Sequence, residues 1–472
     1  MSEIGPVVVV GGGVTGLVAA RDLLQAGVDV AIVEASPRLG GKVQTERVDG
    51  FVVEGGPDSF VAGKQTVLEL ADELGLRDQV RSTRPNGGGS QVWWDGKLHP
   101  LPEGLLLMTP SRLAPLFRSS LLSWRGKLRV LGDLFLPRGG GEDESLESFV
   151  LRRLGHEMLE RVAQPLVAGI HAAEPHTMSL RASFPRFLTM EREHRSLILA
   201  ARAAMKRAPQ QNGRSHFVTF TRGMGQLTEA LVGVTAPADV RTGVAVRGLH
   251  PHGSGYRLVL DDGSRLEAAA VVLAVPAKTA AELLGPIVPR ASRAIGGIAQ
   301  VSTATVTLVY RSDEVPELTG SGFVVPAAEG RQVTGVSFLS NKWEGRVPDD
   351  RFVMLRAFVG GRHGQEAATA PTDRLQAIVR GELQAMLDLR ADPVFVKVSS
   401  WEGGLHRYTI GHLDRVAEAE AALRDHPRLA IAGAAYHGIG LNECVASGRR
   451  AARRLLEAGV TVSSDGGLRS AG

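Results

Sequence analysis

Two hydrophobic rhythms alternate along the chain. Val7 to Val10 is an unbroken β-branched run between Pro6 and three glycines, the pattern of a parallel strand buried on both faces. Leu17, Ala20, Leu23 and Leu24 then recur at helical spacing until Gly27, and Val30 to Val33 is a second buried run that ends on Glu34. Val61 to Leu76 predicts a helix with Val67, Leu68, Leu70, Ala71 and Leu74 inward and Gly75 as its stop. The segment 91–102, QVWWDGKLHPLP, predicts a hairpin turning at Asp95-Gly96. Leu146 to Ala168 is again helical. A β-meander follows, with a strand over Val244 to Leu249, a hairpin turning at Asp262-Gly263 and a buried run at Val271 to Val275. Val301–Tyr310, Gly322–Pro326, Val333–Leu339 and Phe352–Val359 alternate like strands of a second sheet. Thr372–Leu387 is helical, Leu429–Ala432 is a further buried strand, and a last helix runs from about Leu441 to Ala458. The chain shows no internal repeat.

The stretch Leu105 to Leu136 has a different character. It is rich in Leu, Phe and Trp124, is punctuated by Pro110 and Pro115, and is threaded with Arg112, Arg118, Arg125, Lys127 and Arg129. Short amphipathic helices of this kind can lie in a membrane interface. The alternative is a helical substrate domain with solvated arginines, and both readings stand. RGGGEDE, 138–144, is a flexible break, and the polar stretch Pro209–Ser215 closes the insertion.

The first sixty residues carry the clearest chemistry. Gly11-x-Gly13-x-x-Gly16 sits between a strand and a helix, and an acid, Glu34, ends the next strand about twenty residues on. Such glycines allow a tight turn, close approach of backbone to a pyrophosphate, and close packing of helix on strand. The helix N-terminus faces the phosphates and the acid accepts from a ribose hydroxyl. The ligand is therefore a dinucleotide.

Composition narrows the class. With 472 residues the chain holds two or three domains, and 43% hydrophobic content with a mean hydropathy near zero describes a soluble globular protein. No signal peptide is expected and no apolar run reaches spanning length, so a cytoplasmic location is expected. The single cysteine, Cys444, excludes an intramolecular disulfide and a cysteine-cluster metal site, and no metal is expected. A net charge of +4 suits anionic substrates or lipid headgroups. No aromatic-interleaved basic strand or recognition helix is present, so nucleic acid is not an expected partner.

Arg38-Leu39-Gly40-Gly41 and Lys42, followed by GFVVEGGPDSF at 50–60, resemble the FAD-binding amine oxidase-like superfamily. Further motifs sharpen the resemblance: LHPLPEG (98–104), LRASFP (180–185), EREHRSLI (191–198), WEGGLHRYTIGH (401–412) and AGAAYHGIGLNECVASGR (432–449). Together they are similar to bacterial porphyrinogen oxidases of haem synthesis. Asp58-Ser59-Phe60 and Lys64 look most like Gram-positive-type enzymes, whose expected substrate is coproporphyrinogen III. Two departures are visible: His406-Arg407 replaces the family's Pro-Gln before Tyr408, and Ala434 stands where the wider superfamily often has an acid.

The resemblance implies an α/β architecture. A Rossmann-like FAD domain would be assembled from segments 1–85, 213–295 and 401–460, with a helical insertion at 86–212, a mixed-sheet substrate domain at 296–400 and a disordered tail at 461–472. It implies FAD contacts at Gly11, Gly12, Gly13, Val14, Thr15, Gly16, Glu34, Ala35, Arg38, Gly40, Gly41 and Lys42. Others would come from the turn Gly56, Pro57, Asp58 and Ser59, from Val246 beside the adenosine, from Trp401 and Gly433, and from Ile439, Gly440 and Leu441 under the flavin. Substrate contacts are expected from Lys64, Asp58, Gly169 and Arg407, with His406 a weaker candidate.

No side chain is assigned as catalytic, because a flavin accepts the hydride and oxygen reoxidises it. The implied reaction removes six electrons from the macrocycle in three turnovers and forms hydrogen peroxide. The product would pass to the next haem-pathway enzyme. Three rivals remain open: protoporphyrinogen IX as substrate, an amine oxidase or carotenoid desaturase chemistry, and a flavoprotein that binds tetrapyrrole without oxidising it.

Overall fold

The computed structural model describes residues 5–460 except 86–88, 107, 140, 172 and 208–216. The expectations for Pro209–Ser215 and for the tail 461–472 lie outside the described residues.

A five-stranded parallel sheet forms the first layer, in the order Asp239–Thr242, Val30–Glu34, Val7–Val10, Ala270–Leu273, Leu429–Ile431. The central strand explains its own composition. Val7 and Val9 face a core shared with helices Val14–Gln25, Gly225–Val234 and Leu441–Glu457, while Val8 and Val10 face the opposite core. That second core is built with helices Ala277–Leu284, Pro289–Gly296 and His412–Ala422. A strand buried on both faces needs apolar residues at every position, and the branched side chains suit its pleated surface.

The second sheet has seven strands, in the order Phe395–His406, Gln300–Arg311, Phe352–Val359, Val333–Phe338, Gly322–Val324, Gln91–Trp94, Lys97–Pro100. It is antiparallel except where Gly322–Val324 meets Gln91–Trp94. Its faces are unlike. Val306, Leu308, Leu355, Ala357 and Val359 pack on Leu375, Val379 and Leu383 of helix Thr372–Leu387. The other face presents Thr305, Thr307, Arg356 and Trp401, and Trp401 reaches the turn after strand Phe51–Glu54 by donating from Nε1 to the Gly55 carbonyl at 2.9 Å.

A helical insertion with its own core, including Phe149, Leu180, Phe187 and Leu197, packs against Val92 and Val324 of the second sheet. A buried ion pair pins it: Arg153 Nε donates to Asp133 Oδ1 at 2.7 Å, and Ser196 Oγ and the Ile198 amide donate to Asp133 Oδ2 at 2.6 and 3.0 Å. Three local expectations are corrected. Val61–Leu76 is not one helix: Phe60–Val61 pairs as a strand with Phe217–Val218, and the helix is only Thr66–Glu73. Leu105–Leu106 pairs with Thr109–Pro110 as a short hairpin before helices Leu113–Arg118 and Trp124–Leu131 begin. Leu146–Ala168 is broken after Arg153, where Gly155 takes a φ of +90°, a left-handed conformation that ends the first helix.

Candidate active site

The turn from strand Val7–Val10 into helix Val14–Gln25 is close-packed on one side and open on the other. Gly11 takes φ +104°, and a Cβ at Gly16 would lie 1.9 Å from the Gly11 carbonyl oxygen. Gly13 differs: a Cβ there would meet nothing nearer than the Gly41 Cα at 3.9 Å. Gly13 caps its helix without a side-chain hydrogen bond, and the helix has no acid in its first turn. Free amides, a positive dipole end and space beside Gly13 are what a pyrophosphate needs.

A second glycine loop lies on the first. The Gly40 amide donates to the Gly12 carbonyl at 2.8 Å, and Gly41 approaches the Gly13 Cα so closely that a side chain would intrude. Arg38 wraps this loop, with Nη1 donating to the Leu39 carbonyl at 2.9 Å and Nη2 to the Gly41 carbonyl at 2.6 Å. Glu34 is held by its neighbours: Oε2 accepts from the Gly12 amide at 2.6 Å, and Oε1 accepts from the Ser36 amide and hydroxyl at 2.8 and 2.6 Å. Ser36 went unread in the sequence, although its place just beyond the acid and Ala35 was the available signal. The Gly243 amide donates to the Ser36 carbonyl at 2.8 Å, which brings buried Val246 to the Glu34 edge of the sheet.

Residues over four hundred positions away complete this cradle. Thr15 Oγ1 donates to the Cys444 carbonyl at 3.2 Å, and a Cβ at Gly448 would lie 2.4 Å from the Thr15 carbonyl oxygen. The helix Leu441–Glu457 is thereby locked against helix Val14–Gln25, and Ile439, Gly440 and Leu441 stand at its start. The Gly433 amide donates to Ser447 Oγ at 3.0 Å. Gly56 sits against Lys42, whose carbonyl oxygen would be 1.8 Å from a Gly56 Cβ. The Lys42 ammonium is deeply placed, and burial pulls its pKa below the usual lysine range. Burial pushes the Cys444 thiol up to about 11, which fits an inert structural cysteine.

The residues expected at the substrate are separated by their partners. Asp58 is tied down: Lys342 Nζ and Trp343 Nε1 donate to its Oδ2 at 3.0 and 3.3 Å, and Ser59 Oγ to its Oδ1 at 2.8 Å. Burial alone would raise its pKa, but the Lys342 and Arg356 cations outweigh that and hold the carboxyl well below the ordinary range. Lys64 pairs with Glu443, beside Gly440 and Leu441. Gly169, on helix Gln164–His171, faces Val324 of the second sheet. The Arg407 amide donates to the Ala299 carbonyl at 2.8 Å. His406 is buried, and its Nε2 lies 3.1 Å from Gln300 Nε2 and 3.4 Å from the Ala277 amide. Burial, then the Lys42 and His412 charges, lower its pKa to about 4, so it is neutral at pH 7.

A model of the family described as flavin containing amine oxidoreductase matches residues 14–456. Coproporphyrinogen III oxidase of Propionibacterium freudenreichii subsp. freudenreichii is 35% identical, over 98% of this chain and 93% of its own. The enzyme of that name from Bacillus subtilis is 32% identical over 95% and 97%, and protoporphyrinogen oxidase of Bos taurus is 32% identical over 95% and 98%. A solved structure from Exiguobacterium sp. 255-15 superposes with a TM-score of 0.86 at 31% identity, covering 97% of this chain and all of the other. Putrescine oxidase, at 18% identity and a TM-score of 0.69, shares the fold.

Proposed function

Because the chain belongs to the flavin containing amine oxidoreductase family and is an FAD-dependent oxidoreductase, we propose that it oxidises coproporphyrinogen III to coproporphyrin III in haem biosynthesis. The observation that carries this reading is similarity along nearly the whole chain, second sheet and helical insertion included, to relatives named for that activity. Protoporphyrinogen IX is the second reading, because relatives named for it match over a similar length.

When bound, FAD would supply a hydride acceptor, with oxygen as the electron sink and peroxide as the by-product. The protein's share is placement. Gly13 and the amides of its helix start would hold the pyrophosphate, Glu34 the ribose, and Gly55–Ser59 with Trp401 the ring. Trp401 fixes the Gly55 carbonyl by a hydrogen bond from the second sheet, so the turn and that sheet keep one geometry. The macrocycle would lie between that sheet and the helical insertion, along Val324 and Gly169, with its propionates toward Lys64 and Arg407. The insertion would also touch membranes peripherally through 105–136, where the product would be handed to the next enzyme.

Coproporphyrinogen III carries four propionates and protoporphyrinogen IX two, so a rim cation separates them. Lys64→Ala is expected to raise KM for the former by about threefold to tenfold, in line with an exposed charged hydrogen bond, and to leave the latter nearly unchanged. The test compares kcat/KM for both substrates in both proteins. Wild-type preference for protoporphyrinogen IX would overturn the substrate, and equal losses would remove Lys64 from the rim.

A further inference from the structure

The turn that would carry the flavin ring stands on a buried ionic cluster whose charges do not balance. Glu54, Arg346 and Arg356 are each 1% exposed. Arg346 Nη1 lies 3.2 Å from Glu54 Oε1, and its Nη2 donates to Thr219 Oγ1 at 2.7 Å. Glu54 also accepts from Thr45 Oγ1 at 2.6 Å and from the Met224 amide at 2.8 Å. Lys342 is matched with Asp58. Among the described residues Arg356 has no carboxylate of its own: Nη2 donates to Thr305 Oγ1 at 3.0 Å, and its Nε is buried without a partner. The carboxylates that act on Arg356 are Asp58 and Glu54, and each has a closer cation. Three cations against two carboxylates leave one positive charge over.

Such a charge is expensive. Removing a cation from water without a counter-ion costs several kcal/mol, so buried charges are ordinarily paired. Arg356 also occupies the middle of the strand FVMLRAFV, where an apolar residue would pack without that cost. The missing negative charge therefore belongs to something the site receives. Its position points to what that is. Thr305, which holds Arg356, is paired with Ser399, whose hydroxyl lies against Gly55. Asp58, in the same turn, links Lys342 to the cluster. A flavin ring that has accepted hydride without a proton at N1 carries one negative charge, and charges near the ring tune its electronics.

We propose that Arg356, supported by Lys342 and Arg346, is a positioning residue that stabilises the reduced, anionic flavin across the turn Gly55–Ser59 and so raises the cofactor's reduction potential. The inference rests on the flavin reading of that turn. Arg356 acts through the turn and the field it sets, without contacting the reacting atoms. An adjacent substrate carboxylate is the competing counter-ion, and the two differ in what they change.

The experiment uses FAD-loaded wild-type protein, Arg356→Met and Arg356→Lys, titrated with inorganic sulfite. Sulfite adds to the oxidised ring and leaves it anionic, so its affinity reports the same stabilisation without turnover. Arg356→Met should weaken sulfite binding at least tenfold and lower the two-electron potential by about 30 mV, the equivalent of that factor. Arg356→Lys should recover most of both. If Arg356→Met does not fold, Lys342→Met carries the test, with the same direction of change. Unchanged sulfite affinity and potential in a folded, FAD-loaded variant would overturn the proposal, and so would loss of porphyrin binding alone, which would assign the cation to a propionate. Failure of the wild type to hold FAD would instead overturn the flavin reading itself.

Discussion

Gly13 and Gly16 look equivalent in the motif, but they answer different constraints. Gly16 is required by the protein's own backbone, since a methyl there would strike the Gly11 carbonyl oxygen, whereas Gly13 leaves space that its neighbours do not use. Gly13→Val should therefore fold and lose FAD, with flavin absorbance per protein falling at least tenfold, about 1.4 kcal/mol or more of binding. Gly16→Ala should lower yield or Tm instead. Retention of stoichiometric FAD in Gly13→Val would contradict the placement of the phosphates. The sequence pattern made these glycines visible but not the difference between them, which depends on the partners each meets. The buried histidines lie further from what a sequence shows. His406 and His412 have pKa values lowered from 6.5 to about 4, in each case mainly by burial, so their neutral forms are favoured in the folded state. Below the unfolded value the unfolded chain binds more protons, so their stability contribution is present above pH 6.5 and lost as pH falls toward 4. At about 1.4 kcal/mol per tenfold change in proton affinity, lowering from 6.5 to about 4 is worth on the order of 3 kcal/mol per histidine. Denaturant unfolding at about pH 7.5 and about pH 5 should show about 2 kcal/mol of this loss per histidine in the wild type and a smaller loss in His406→Gln/His412→Gln. Glu54, whose pKa burial raises, works in the opposite direction and remains in both proteins. Equal losses in the two proteins would contradict the assignment.

At the scale of elements, periodicity was a good guide where one element has one environment. Thr372–Leu387 was read to the residue, because its apolar stripe meets a single sheet face. Val61–Leu76 was misread because strand pairing with Phe217–Val218, more than 150 residues away, claims Phe60–Val61 before the helix begins. The helical insertion yields two predictions. Asp133 satisfies Arg153, Ser196 and the Ile198 amide together, so Asp133→Ala should cost about 3 kcal/mol by leaving the buried guanidinium only its longer carboxylate contact, with Glu191 at 3.5 Å, measured as a fall in the denaturation midpoint. Helix Trp124–Leu131 and the turn after it expose Trp124, Leu128 and Phe135 beside the exposed Arg125 and Arg129, while Lys127 is buried beneath, its Nζ 4.9 Å from the Trp124 ring centroid and donating to the Phe117 carbonyl at 3.0 Å. Apolar side chains held out among cations suit an anionic lipid interface. Among the described residues no helix is long and apolar enough to cross a membrane. Cosedimentation with anionic vesicles at low salt should be lost in Trp124→Glu. Wild-type protein that stays in the supernatant would leave this surface as ordinary solvated helix.

The whole molecule explains which parts of the site were legible. The first βαβ unit reads locally, since its glycines, helix and acid lie within thirty residues and contact one another. The Ile439–Leu441 segment was recognisable only by resemblance, because its place depends on Gly448 packing against Thr15. The ionic cluster around Arg356 was not read at all. Its members come from positions 54, 58, 342, 346 and 356, and only an arginine inside an apolar strand hinted at it. Substrate contacts are scattered in the same way, and tertiary placement decides their partners. On the reading proposed above, these separated pieces form one oxidase for a porphyrinogen. The most direct test incubates FAD-loaded protein with coproporphyrinogen III under air and follows porphyrin fluorescence and peroxide together. Coproporphyrin should form well above autoxidation, with three peroxides for each porphyrin. Fluorescence no faster than the protein-free control, from protein that retains its flavin, would contradict it.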